Sequence, residues 1–128
     1  MSIELTYLAL SAAIVGIAQF VYIPHRMLSW GLKDTMGYPD NPPVAPQWVQ
    51  RAMKAHSNQV ENLVVFAALV LDAGLSGIST EMTVFASMLY FWTRLIYHVC
   101  YVMGIPILRT LAHTASWVAS VIIFIELI

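Results

Sequence analysis

Arg51, Lys54, Asn58, Glu61 and Asn62, side chains able to carry charge or hydrogen-bond, lie within the stretch RAMKAHSNQVEN. Spacings of three and four set them along one face of a helix rather than around it. A second row follows at Arg94, Tyr97 and Tyr101, with Arg109 downstream. Four cations set against the one carboxylate of Glu61 leave an excess of three positive charges, and a partly buried positive excess needs an anion. Helix N-termini at the start of the first row and just before Arg109 would add free N–H groups and positive dipole ends. The chemistry predicted is recognition of a small acidic ligand. Two competing readings stand beside it: Glu61 and Arg94 as a purely structural pair between helices, and Arg109 as a side chain snorkelling to lipid headgroups.

The elements that must position these residues follow from composition. Of 128 residues, 59% are apolar and only 10% charged, against about 25% charged in soluble domains. The apolar residues form four blocks, each close to the roughly 20 helical residues that cross a hydrocarbon core. They predict one all-α domain over residues 1–128, with helices at about 5–23, 47–71, 83–102 and 107–127. Pro24 marks the end of the first block, Asp72 the end of the second, and Arg94 is the one charge inside the third. No basic residue precedes the first block and Glu4 does, so it reads as a retained helix, not a signal peptide.

Arg26, Lys33, Arg51 and Lys54 all fall between the first two blocks, whereas the N-terminus and the Asp72 to Met82 connection have no basic residue. Basic loops stay in the cytoplasm. With four crossings, both termini are expected outside, and the start of helix 2, the end of helix 3 and the start of helix 4 share the cytoplasmic side. An ionised side chain facing acyl chains costs about 2.5–3.5 kcal/mol on insertion scales, so the polar faces are expected to turn inward and meet.

Other residues carry less. The single Cys100 allows no intrachain disulfide. His25, His56, His98 and His113 show no paired metal-ligand spacing, so no metal is expected. Trp30, Trp48 and Tyr38 predict an interfacial belt. The connection GLKDTMGYPDNPPVAPQ either covers part of the site or is a tether.

The motif R-A-x-x-A-H-x-N-x-x-E-N at Arg51 to Asn62, followed by an apolar helix and then R-x-x-Y-x-x-x-Y with Arg109 downstream, resembles the MAPEG family. These are membrane-associated proteins of eicosanoid and glutathione metabolism, and the resemblance covers nearly the whole chain. It implies an integral membrane four-helix bundle that forms homotrimers and binds glutathione between subunits near the cytoplasmic face, in this case of a bacterial inner membrane. On that likeness Arg51 holds a glutathione carboxylate from the neighbouring subunit, and Lys54, Asn58, Glu61 and Asn62 contribute from helix 2, with Glu61 suited to the ammonium. Arg94, Tyr97 and Tyr101 complete the pocket. Arg109 is the catalytic candidate, since a guanidinium facing the thiol favours thiolate.

The chain departs from the family pattern at several places. Lys54 stands where an arginine is common and lacks its planar fork. Ser57, Tyr97 and His113 differ from the prostaglandin synthase or other relatives. These differences argue against a specialised eicosanoid synthase. They are compatible with a glutathione transferase or peroxidase acting on a hydrophobic co-substrate drawn from the bilayer, which is what the resemblance implies, and also with a member that has lost activity; membrane lipids are expected partners and nucleic acid is not. The alternative is a non-catalytic accessory subunit whose basic cluster binds an anionic lipid headgroup.

Overall fold

The computed structural model describes residues 1–41 and 43–128. Each helix starts and stops where local chemistry allows it. Ser2 caps α1 (Ile3–Ala18), its Oγ accepting from the Leu5 N–H at 3.2 Å. The first helical path does not end at Ile23. After a 3-10 turn at Gln19–Val21 it resumes as α2 (Ile23–Trp30), because Pro24 falls in the first turn, where a missing N–H breaks no intrahelical bond. Gly31, at φ 81°, ends α2 and introduces the short α3 (Leu32–Met36).

The second long helix, α4 (Gln47–Leu75), begins after Pro46 and runs beyond Asp72, whose exposed carboxylate accepts from Ser76 Oγ at 3.4 Å. A reciprocal capping box then opens α5 (Glu81–Met103): the Thr83 N–H donates to Thr80 Oγ1 at 3.1 Å and the Thr80 N–H to Thr83 Oγ1 at 2.8 Å. Gly104, at φ 78° and ψ 34°, closes α5, with the Ile105 N–H bonded back to the Cys100 carbonyl at 2.9 Å. Pro106 then starts α6 (Pro106–Leu127) in the first helical position.

The chain is all-helical among the described residues, and three paths are long and apolar enough to cross a membrane: Ile3–Trp30, Gln47–Leu75 and Pro106–Leu127. α5 is not one of them. Its inner stripe is polar, carrying Thr83, Ser87, Arg94 and His98 among its buried residues. α4 and α5 form the central pair, and both α1 and α6 pack against each of them. Small residues let the backbones approach: Ala52, Ala55, Ala86, Ala112 and Ala119 are buried at the crossings. Around them the Phe66 and Tyr90 rings stack at 3.7 Å with Val70 and Ile123.

This packing sorts the charges. Glu4 is buried at one end, accepting from Ser79 Oγ at 2.8 Å and Thr83 Oγ1 at 3.2 Å, and Glu126 accepts from Thr80 Oγ1 nearby at 3.1 Å. At the other end the start of α4 meets the end of α5. There Arg51 Nε donates to the Val102 carbonyl at 3.0 Å, satisfying one of the free carbonyls of the last turn. The Arg51 guanidinium also lies over Gly104, so that a Cβ there would sit 3.2 Å from Arg51 Cζ. Gly104→Ala is expected to cost about 1–2 kcal/mol of stability through the left-handed backbone alone, read as a lower Tm in detergent. An unchanged Tm would show that this turn is not held as described.

Candidate functional site

The centre of the site is a buried cation. Arg94, 1% exposed, points from α5 between α4 and α6. Its Nε donates to Gln59 Oε1 at 2.6 Å, one terminal nitrogen to Asn58 Oδ1 at 2.7 Å, and the other to Ser116 Oγ at 3.2 Å. That second nitrogen also lies 3.1 Å from His113 Nδ1. A guanidinium only donates, so Nδ1 accepts and the His113 proton is on Nε2. Gln59 closes a second bond by donating from Nε2 to Arg94's own carbonyl at 2.9 Å. The Tyr97 ring lies 4.1 Å from the guanidinium carbon. All these acceptors are neutral. Charge-assisted hydrogen bonds and a ring face therefore hold the cation away from water without a carboxylate.

One side of this network opens as a cleft of about 270 Å³ lined by Asn58, Tyr97, Tyr101, Arg109, Thr110 and His113. The α5 turn from Tyr97 to Tyr101 sets their rings edge to face at 5.5 Å, and His113 packs against Tyr97 at 5.7 Å. From the first turn of α6, Arg109 lies over the Tyr101 ring at 4.8 Å. Unlike Arg94, Arg109 is only half-buried. The cleft thus offers a guanidinium, a side-chain amide, hydroxyls and an imidazole around aromatic walls, which suits an anionic ligand with further polar groups.

The residues singled out from sequence are partly brought together. Asn58, Tyr97, Tyr101 and Arg109 line one cleft, and Arg94 lies behind it, bonded to Asn58. Arg51 is half-buried at the α5 end, beside the turn that leads to Arg109. The inward placement of Lys54 and Glu61 is corrected: both are exposed on the single chain, and Glu61 is not among the groups that hold Arg94. The buried stripe of α4 runs through Val49, Ala52, Ala55, Gln59, Phe66, Val70 and Ala73, and this leaves Lys54 and Glu61 facing away. Asn62 is also displaced. It lines a second cleft, about 300 Å³ and mainly apolar, between α4 and α6 with Leu69, Trp117, Ser120 and Phe124. In the connection before α4, Pro43, Val44 and Ala45 line a cleft with α2 and α4, and none of its described residues lines the Arg109 cleft; its Pro42 lies outside the described residues.

Sequence reading overlooked Gln59 and Ser116 and did not place His113 in the site. The signal for Gln59 was present: a long polar side chain in a stripe otherwise made of Ala, Val and Phe must find a partner on a neighbouring helix. Gln59→Leu removes the Nε acceptor of Arg94 and is expected to cost about 2–3 kcal/mol, whereas Gln59→Glu keeps an acceptor there and retains more of the stability. Thermal unfolding in detergent measures both, and equal Tm values for the two variants would contradict the assignment.

The family model for MAPEG matches residues 8–128. No curated protein and no solved structure matches the chain significantly. The matched range includes every residue that lines the Arg109 cleft and every partner of Arg94. The chain is an integral membrane protein belonging to the MAPEG family, which is associated with glutathione transfer and eicosanoid metabolism.

Proposed function

We propose that this protein is a membrane glutathione transferase or peroxidase, working as a homotrimer of four-helix bundles with α5 as the fourth crossing. The observation that carries the reading is Arg109, placed over Tyr101 at a cleft also lined by Asn58, Tyr97 and His113. Glutathione brings two carboxylates, an ammonium and a thiol. In the proposed reaction the Arg109 guanidinium lies near the sulfur and favours thiolate, the thiol proton leaving to solvent. The thiolate then attacks an electrophilic carbon of a hydrophobic co-substrate from the bilayer. A carbon–sulfur bond forms as the bond to the leaving group breaks.

Two features support completion of this site by a second copy. The cleft, at about 270 Å³, falls below the usual range of about 300–1,000 Å³ for a ligand site. Lys54 and Glu61 are exposed on a helix apolar and long enough to cross a membrane, where facing acyl chains is costly. A neighbouring subunit would cover them, so that Lys54, Glu61 and the half-buried Arg51 and Asn62 bind glutathione across the interface. The basic residues between the first two apolar paths support a cytoplasmic site, both termini outside, in a bacterial inner membrane.

A second reading, a non-catalytic member whose basic cluster takes an anionic lipid headgroup, is favoured by one fact. The most buried cation, Arg94, directs its donors to protein acceptors. Calorimetry with glutathione and conjugation of an aryl halide by the detergent-solubilised protein separate the two. Arg109→Ala is expected to lower kcat about a hundredfold or more. Full activity in that variant would remove Arg109 from the mechanism, and no heat of glutathione binding to the native protein would remove the reading.

A further inference from the structure

A separate cleft of about 310 Å³ lies between α2, the segment just before α4, and the first turns of α4. It shares no lining residue with the Arg109 cleft. Its cation is Arg26. The guanidinium lies 4.8 Å from the Trp30 ring and 5.4 Å from the Tyr22 ring, and donates to Met53 Sδ at 3.4 Å. A thioether is a weak acceptor. Aromatic faces fix the plane of a guanidinium while its donor edges remain suited to the oxygens of a phosphate. His25, Ser29 and Gln50 supply the other polar groups, and no acidic residue lines the cleft among the described residues.

The cleft is also preformed. Gln50 Nε2 donates to the Ala45 carbonyl at 2.8 Å, which fastens the connecting segment to α4, and Thr35 Oγ1, which donates to the Gly31 carbonyl at 2.8 Å, lies 3.4 Å from the Arg26 carbonyl where α3 meets α2. The rest of the wall is apolar, from Trp30, Val44, Val49 and Met53. α2 closes the first membrane-crossing path at Trp30, and Trp48 packs edge to face on His25 at 5.6 Å. Tryptophans at the end of an apolar span mark headgroup depth.

We propose that this cleft binds one anionic phospholipid per chain, with Arg26 holding the phosphodiester and the apolar wall taking the glycerol and the first acyl carbons. A cation without a carboxylate neighbour suits an anionic headgroup, because no carboxylate among the described residues lines the cleft to pair with the ammonium of a zwitterionic one. The apolar wall suits a lipid over free phosphate. The proposal is independent of the glutathione reading, since the two clefts have different residues.

The test is native mass spectrometry of the delipidated protein in a neutral detergent, titrated with dioleoyl phosphatidylglycerol, dioleoyl phosphatidylcholine or inorganic phosphate. Preferential retention of one phosphatidylglycerol per chain is expected. Arg26→Gln is expected to weaken it on the order of tenfold, the size of a charge-assisted hydrogen bond. Ser29→Asp, at an exposed position, places a carboxylate in the cleft and should weaken it similarly without disturbing the fold. Equal retention of phosphatidylglycerol by the native protein and both variants would overturn the proposal. So would equal retention of the two lipids, or displacement of phosphatidylglycerol by millimolar inorganic phosphate.

Discussion

Arg94 is the residue on which the remaining architecture depends. Removing a guanidinium from water costs several kcal/mol unless its donors are matched, and here acceptors from two other helices match them: Asn58 and Gln59 from α4, His113 and Ser116 from α6. Each acceptor is at the correct depth only if the three helices keep one register. The cation therefore fixes how α4, α5 and α6 are arranged, in a low-dielectric setting where partly satisfied polar networks are costly. The same bonds orient the cleft. Asn58 and His113 touch Arg94 on one side and line the Arg109 cleft on the other.

The two ends of the packed helices have different chemistry around this centre. At the end opposite the cleft, hydroxyls from the Ser79 to Thr83 turn satisfy Glu4 and Glu126. At the cleft end, Arg51 holds the last turn of α5 through Val102 and covers Gly104. That contact ties the start of α4 to the turn that delivers Arg109. Arg51 thus has a structural role on its own chain beside any role toward a ligand.

Much of this was legible in the residues. The placement of the basic residues and a count of four crossings implied that the end of α5 and the start of α6 return to the level of the α4 start, and Asn58, Tyr97, Tyr101 and Arg109 do line one cleft. Spacing alone did not show which side of α4 is buried. The charged row Arg51, Lys54, Glu61 is regular, yet the small residues Ala52 and Ala55 are what permit close helix contact, so the buried side follows them and includes Gln59. The row expected to enclose Arg94 therefore lies at the edge or outside. Pro24 misled for a related reason: a proline stops a helix only where its N–H would have been bonded, and here it begins a new one. The polar interior of α5 was visible too, but its neutral partners depend on tertiary register that no local pattern encodes.

The decisive measurement is a density map of the assembled protein with glutathione. Tripeptide density is expected against Asn58, Tyr101 and Arg109, with a second chain closing over Lys54 and Glu61 and Arg94 still bonded to Gln59. Tripeptide bound elsewhere, or Arg94 turned from Gln59 to the ligand, would contradict it.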